Sequence, residues 1–262
     1  MPYLKTLNIN TRRTHPFPFD VPAIQYAKNI DLSNQISFLI GENGTGKSTL
    51  LETIAYKLRL PHMEGYGYDK NSFDAAKTLV PFLDLTWKLE RSDGFFFRAE
   101  DFGDYLNSIH RQGLQIEQQM GDMGTDFPKH IIEQMKNSAN TRLRSMREKY
   151  GQELQAFSHG EAYLHIMNQR INKRGIFLLD EPEAALSPAK QLTLIYFILN
   201  HLKQYNSQFI IATHSPMLMA YPNANIYEIT ENRMVKTDFK HTDHYKITKS
   251  FLENPEAFLR HL

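Results

Sequence analysis

Ile36-Ser37-Phe38-Leu39-Ile40 runs directly into Gly41-Glu42-Asn43-Gly44-Thr45-Gly46-Lys47-Ser48-Thr49, and a helical pattern follows from Leu50 to Leu58. An apolar strand, a glycine-rich turn and a helix in that order match the phosphate-binding loop Gly41-x-x-x-x-Gly46-Lys47-Ser48. Each residue type has a physical task there. Glycines let the backbone curl until successive N–H groups point at phosphate oxygens, and the helix N-terminus adds partial positive charge. Lys47 extends to the β- and γ-phosphates, and the Ser48 hydroxyl is an oxygen ligand for Mg2+. A dinucleotide-binding fingerprint does not fit, because Thr49 stands where its third glycine would fall. The expected ligand is a nucleotide.

Farther along, Ile176-Phe177-Leu178-Leu179 is wholly apolar, as a strand buried in a parallel sheet should be, and it ends in Asp180-Glu181. Ligands collect at the carboxyl ends of parallel strands. Asp180 is therefore expected to hold Mg2+ through water, and Glu181 to orient or deprotonate an attacking water. Another buried strand, Phe209 to Ala212, ends in Thr213-His214-Ser215-Pro216, which puts His214 within reach of a γ-phosphate.

The remaining pattern is α/β with a helical insertion. Tyr3 to Ile9 reads as a strand, and Pro16 to Pro22 excludes helix. Pro61 to Lys70 has no period and reads as a loop. Phe82 to Leu89 alternates, with Leu83, Leu85, Trp87 and Leu89 on one face; Ser92-Asp93-Gly94 then turns the chain into Phe95 to Arg98, which predicts a hairpin. Residues 101–150 read as polar helix, broken at Gly121 to Pro128. Five acids face Arg111 in the first half, and six bases face Glu133 and Glu148 in the second, which suggests two antiparallel helices of complementary charge. Helices are expected at Gly160 to Asn172, Pro188 to Lys203 and Lys249 to Leu262. A hairpin is expected from Ile226 to Thr230 and Met234 to Phe239. The fold class is thus a single α/β domain over residues 1–262, with a mixed sheet around the phosphate loop, an antiparallel β flank at 79–98 and a helical lobe from about 101 to 172.

Composition narrows the function. The chain has 262 residues, 41% hydrophobic and 23% charged, and its 30 Lys+Arg against 29 Asp+Glu leave a net charge of +1. A globally basic nucleic-acid binder is disfavoured, though a local patch around Arg142, Arg144 and Arg147 is not. Cysteine is absent, so disulfides and thiolate metal sites are excluded. The longest apolar run, Leu192 to Leu199, falls far short of the roughly 20 residues that span a bilayer. The N-terminus lacks an apolar signal core. The expected location is cytoplasmic, without direct membrane insertion. His241 and His244 are spaced to share a helix face, but no third metal ligand accompanies them.

In series, these motifs resemble the ATP-binding-cassette (ABC) ATPases, and specifically the soluble, stand-alone branch of RecF and SMC heads. Gly41 to Thr49 resembles the Walker A loop, Ile176 to Glu181 the Walker B strand with its catalytic glutamate, and His214 the switch histidine. Ser158-His159-Gly160-Glu161 resembles the family signature, and Glu183 to Pro188 stands at the D-loop. The resemblance implies ATP and Mg2+ as ligands, with Glu181 and His214 catalytic. It also implies that Ser158 and Gly160 contact the nucleotide of a second subunit, so that ATP joins a homodimer.

Several residues depart from the family pattern. His159 replaces the first signature glycine, Ser187 replaces the D-loop aspartate, and Arg98-Ala99-Glu100 stands where the Q-loop glutamine would be. Glu100 is a candidate stand-in for that glutamine. Candidates beside the adenine are Arg12, Arg13, Phe17 and Tyr26. Three functions compete: an ATPase acting on nucleic acid or in a repair or defence complex, the ATP-binding subunit of an ABC transporter, and a nucleotide-gated interaction module with an unidentified protein partner and negligible turnover. Transporter subunits normally carry Thr or Ser where Glu183 stands, which favours the first.

Overall fold

The computed structural model describes residues 3–10, 16–63, 73–88, 93–105, 107, 111, 118 and 159–260. Its contacts divide the chain into one unit of Met1–Ala99 with Met167–Leu262, and a second of Glu100–Ile166.

In the first unit, the elements run β1 (Leu4–Ile9), α1 (Pro22–Gln25), β2 (Ile30–Asp31), β3 (Ile36–Gly41), α2 (Lys47–Leu58), α3 (Asp74–Leu79), β4 (Leu83–Trp87) and β5 (Gly94–Arg98). After the α4 helix (His159–Arg170), which crosses the boundary between the units, come β6 (Ile176–Asp180), α5 (Pro188–Tyr205), β7 (Gln208–Ala212), α6 (Pro216–Met219), β8 (Asn225–Thr230), β9 (Arg233–Thr237), α7 (Asp243–Glu253) and α8 (Pro255–Leu259).

Six strands form the main sheet in the order β5-β6-β7-β3-β8-β9. All neighbours are parallel except the terminal β8–β9 pair. Strands β3, β6 and β7 are buried along their whole length, because both faces of the sheet are covered and alternation has nothing to report. On one face, Leu39, Leu178, Ile210 and Ile229 join a core with Leu50, Leu51 and Ile54 of α2 and with Leu4 and Leu7 of β1. On the other, His201 of α5 lies edge-on to Phe177 and Phe209, with ring centroids 5.2 and 5.7 Å away.

A second, antiparallel sheet has the order β2-β1-β4. The buried Gln208 side chain ties the two sheets together: its Oε1 accepts the N–H groups of Tyr3 and Leu4, and its Nε2 donates to the carbonyls of Leu4 and Leu32.

The expected 82–98 hairpin does not form. β4 pairs with β1 in the antiparallel sheet, whereas β5 pairs in parallel with β6, Gly94 opposite Ile176 through Arg98 opposite Asp180. The reason is burial. Phe95, Phe96 and Phe97 are each at most 2% exposed, a demand that a two-stranded ribbon with one wet face cannot meet. The flank is antiparallel as expected, but it is built from β1, β2 and β4.

In the second unit, the rings of Phe102 and Tyr163 meet edge-on at 5.0 Å, both buried. The paired charge halves expected between 101 and 149 lie mostly outside the described residues, as does Leu89.

Candidate functional site

The buried β3 delivers the chain to the phosphate loop, and two glycines are required by what lies against them. Gly41 has φ 149°, and a Cβ there would fall on the Ile229 carbonyl oxygen. Gly46 has φ 86°, and its Cβ would lie 2.7 Å from Val21 Cγ2. The loop is braced by α1 itself, where the Ala23 N–H donates to the Thr45 carbonyl at 2.8 Å. Thr45 Oγ1 in turn donates to the Glu42 carbonyl at 2.8 Å. No side chain caps α2, which begins at Lys47, so its first-turn N–H groups can serve an anion.

Lys47 Nζ donates to the Gly41 and Glu42 carbonyls at 2.8 and 3.0 Å, and the residue is 4% exposed. Burial pushes its pKa down, while the carboxylates of Glu181, Asp180, Glu42 and Glu183 push it back up. The ammonium is thus held over the loop and surrounded by acids.

β7 lies between β3 and β6, and its register sets Ala212 opposite both Leu39 and Asp180. Asp180 is buried at the end of β6, and the Ala99 N–H donates to its carbonyl at 3.1 Å. Glu181 then turns sharply, with φ 48°, an uncommon conformation for a residue with a side chain. Its N–H donates to the Ala212 carbonyl at 2.9 Å, and its carbonyl accepts from Ala184 at 3.0 Å. The side chain emerges toward the turn after β7, where Glu181 Oε1 lies 3.5 Å from His214 Nε2. Burial, then the Lys47 charge, lowers the His214 pKa, with Glu181 opposing. That histidine is neutral near pH 7.

Two residues of the site, Glu183 and His244, carried no decisive signal in the sequence. Glu183 Oε1 accepts from Thr213 Oγ1 at 2.7 Å, the His214 N–H at 2.6 Å and the Ser215 N–H at 3.1 Å. Burial raises its pKa, and these bonds oppose the rise. A third acid after Asp180-Glu181-Pro182 was the one hint.

His244 Nε2, from the first turn of α7, lies 3.3 Å from His214 Nδ1. His241 sits instead in the preceding 3-10 turn, Phe239–His241, so the two histidines do not share a helix. Among the described residues, no group of three or more His, Asp or Glu could hold a metal ion.

At the end of β5, Arg98 is ion-paired with Glu52 of α2 at 2.7 Å, both largely buried. Glu100 begins the second unit.

Of the expected site residues, the structure brings Gly41 to Thr49, Asp180, Glu181 and His214 to the carboxyl ends of the neighbouring strands β3, β6 and β7. Gly160 lies in the first turn of α4. Ser158, Arg12 and Arg13 lie outside the described residues. Phe17 is 64% exposed, and Tyr26 is half-buried after α1.

The family model described as ABC transporter matches residues 29–184, more than half of the chain. The chain belongs to the ABC transporter family. It is an ABC-type P-loop ATPase domain, and domains of this kind bind ATP, generally with Mg2+. A second family model, described as an AAA domain and associated by that description with the AbiEii toxin of a Type IV TA system, matches residues 155–220.

A curated relative, the energy-coupling factor transporter ATP-binding protein EcfA3 of Clostridium perfringens, is 22% identical over 204 residues, covering 77% of this chain and 66% of that protein. The chain thus spans just under two thirds of that relative's length. Among solved structures, it is similar to a metal-chelate type ABC transporter in an inward-facing conformation (17% identity, TM-score 0.46, 94% of this chain and 86% of that one). It is also similar to cbiO1 of Clostridium perfringens, part of the ABC transporter complex cbiONQ (17% identity, TM-score 0.45, 99% and 98%).

The donor set of this ABC-type domain fits Mg2+: the Ser48 hydroxyl and the Asp180 carboxylate are hard oxygens of the kind that ion takes, with phosphate oxygens and water supplying the rest. No described helix is long and apolar enough to cross a membrane.

Proposed function

We propose that this domain is the ATP-binding subunit of a transporter complex, hydrolysing ATP to ADP and phosphate. The reading draws on the family match and on the transporter ATP-binding relative. The observation that carries the chemistry is the convergence of Lys47, Asp180, Glu181 and His214 at the carboxyl ends of β3, β6 and β7, where four carboxylates act on the Lys47 charge. In this reading, the loop N–H groups and Lys47 hold the phosphates. Ser48 and Asp180 hold Mg2+, which would supply charge neutralisation at the phosphoryl group. Glu181 orients or deprotonates the water, and His214 donates to a γ-phosphate oxygen.

Ser158 and Gly160 face the nucleotide of a second copy, so that ATP closes a homodimer. The whole chain of residues 1–262 works as one ATPase domain with the 101–172 lobe inserted. Its partner is a membrane-spanning protein, with the domain on the cytoplasmic side. Light scattering tests the closure. Glu181→Gln protein should be a monomer alone or with ADP and a dimer with ATP and Mg2+, because a ligand bound across an interface stabilises it by mass action. A mass indifferent to nucleotide refutes closure by ATP.

One feature favours a second reading, that of a RecF- or SMC-type ATPase acting on DNA: Glu183 stands where transporter subunits normally carry Thr or Ser, within the stretch matched by the AAA model. Phosphate release that rises with DNA at low salt, and loses the effect as salt increases, would select it.

A further inference from the structure

Two imidazoles in contact must divide their protons, and the surroundings of His214 dictate how. Its Nε2 lies 3.5 Å from Glu181 Oε1, a charge contact short of a hydrogen bond, and is buried with no hydrogen-bond partner among the described residues. A carboxylate only accepts, so an N–H at Nε2 is favoured over a lone pair facing the same negative charge. His214 is neutral, because burial and the Lys47 charge lower its pKa. Its Nδ1 is therefore a bare lone pair, and the atom opposite, His244 Nε2 at 3.3 Å, has to be the donor. His244 Nδ1 is then bare as well. That atom is buried and, like His214 Nε2, makes no hydrogen bond among the described residues; a lone pair is cheaper there than an N–H, and the N–H falls instead to the nitrogen that has a carboxylate nearby.

The fold holds His244 in place. Thr242 is fully buried and caps α7: its Oγ1 accepts the Tyr245 N–H at 3.2 Å and donates to the Phe239 carbonyl at 2.8 Å. The Asp243 N–H reaches Glu228 Oε1 of β8 at 3.4 Å. The first turn of α7 is thus fastened on both sides of His244, and the rings of His214 and His244 stand 5.5 Å apart, centroid to centroid.

We propose that His244 is a positioning residue that fixes the tautomer of His214, donating Nε2–H to His214 Nδ1 so that His214 presents Nε2–H to Glu181 and to a bound γ-phosphate. The function of this donor rests on the ATPase reading above; the tautomer itself does not. Through it, α7 is linked by one hydrogen bond to the group that would report the γ-phosphate.

Nitrogen NMR of the full chain labelled with 15N-histidine, without nucleotide, tests the assignment, His214→Ala identifying the resonances. In the wild type, His214 should be protonated at Nε2, with Nδ1 displaced toward the position of a hydrogen-bonded acceptor. His244→Leu should move Nδ1 to the position of a free lone pair. His244→Glu, which offers only an acceptor, should shift the proton to Nδ1. His244→Gln, which keeps a donor, should restore the wild-type pattern. In phosphate release, His244→Leu should lower kcat at least about tenfold, the scale for an outer partner that orients a histidine, with KM for ATP nearly unchanged and kcat recovered in His244→Gln.

A wild-type His214 protonated at Nδ1, or a Nδ1 resonance indifferent to His244→Leu, overturns the proposal. The shifts decide it whether or not the wild type hydrolyses ATP, and inactivity of the wild type counts against the ATPase reading alone.

Discussion

Glu183 Oε1 accepts the backbone N–H of His214 at 2.6 Å, so the acid that follows the Glu181-Pro182 pair sets the position of the turn beyond a different strand. The same oxygen also holds Thr213 and Ser215. Glu183→Ala would take this acceptor from the Thr213 hydroxyl and the His214 N–H in a half-buried place, the Ser215 N–H keeping Thr213 Oγ1 at 3.0 Å, at a cost of about 1–3 kcal/mol. Chemical denaturation should show that loss, and Glu183→Gln, which retains an acceptor oxygen, should recover most of it. Equal stability of the alanine variant and the wild type would show that the turn holds itself.

Gly46 is fixed by geometry as much as by chemistry. With φ 86° and Val21 Cγ2 2.7 Å from where a Cβ would stand, Gly46→Ala should destabilise the protein by at least about 1–2 kcal/mol, the cost of the left-handed conformation alone. Thermal unfolding of the two proteins measures it. An unshifted midpoint would mean that the loop relaxes away from Val21.

Much of this site was legible because phosphate-loop chemistry is local: a strand, a turn that needs glycine and a helix follow one another within a few residues. Asp180 and Glu181 were legible for a related reason, since an apolar strand can end in acids only where its end meets solvent or a ligand. The β4–β5 error has the opposite cause. Alternation over Leu83 to Trp87 and the turn at Asp93-Gly94 are local signals for a hairpin, but strand pairing is settled by where Phe95, Phe96 and Phe97 can all be buried. Nothing in the neighbourhood of His244 announces that it meets His214, because that contact joins two elements through the tertiary fold.

Lys47→Ala should remove charge-assisted contacts to phosphate worth about 1.5–3 kcal/mol, roughly a 10- to 150-fold rise in the ATP Kd. Calorimetry of the purified domain reads this directly. An unchanged Kd would place the phosphates elsewhere.

His201 predicts a pH dependence unrelated to catalysis. Burial depresses its pKa from 6.5 to about 4, and its Nε2 lies 2.9 Å from Ser207 Oγ. The unfolded chain therefore binds a proton that the native protein refuses, and stability falls as pH drops from about 6.5 toward about 4. The loss across that window is of order 3 kcal/mol. Urea denaturation at several pH values should show it, and His201→Phe should flatten the slope. An equally steep slope in that variant would assign the dependence to other groups.

The account stands or falls on Glu181. The decisive measurement is steady-state phosphate release by the wild type and Glu181→Gln, with the ATP affinity of each taken by calorimetry. The site predicts Mg2+-dependent release by the wild type. It also predicts a variant that binds ATP with little change yet turns over at least about 100-fold more slowly, the lower range for a positioned acid or base. A Glu181→Gln protein that releases phosphate at the wild-type rate would contradict it.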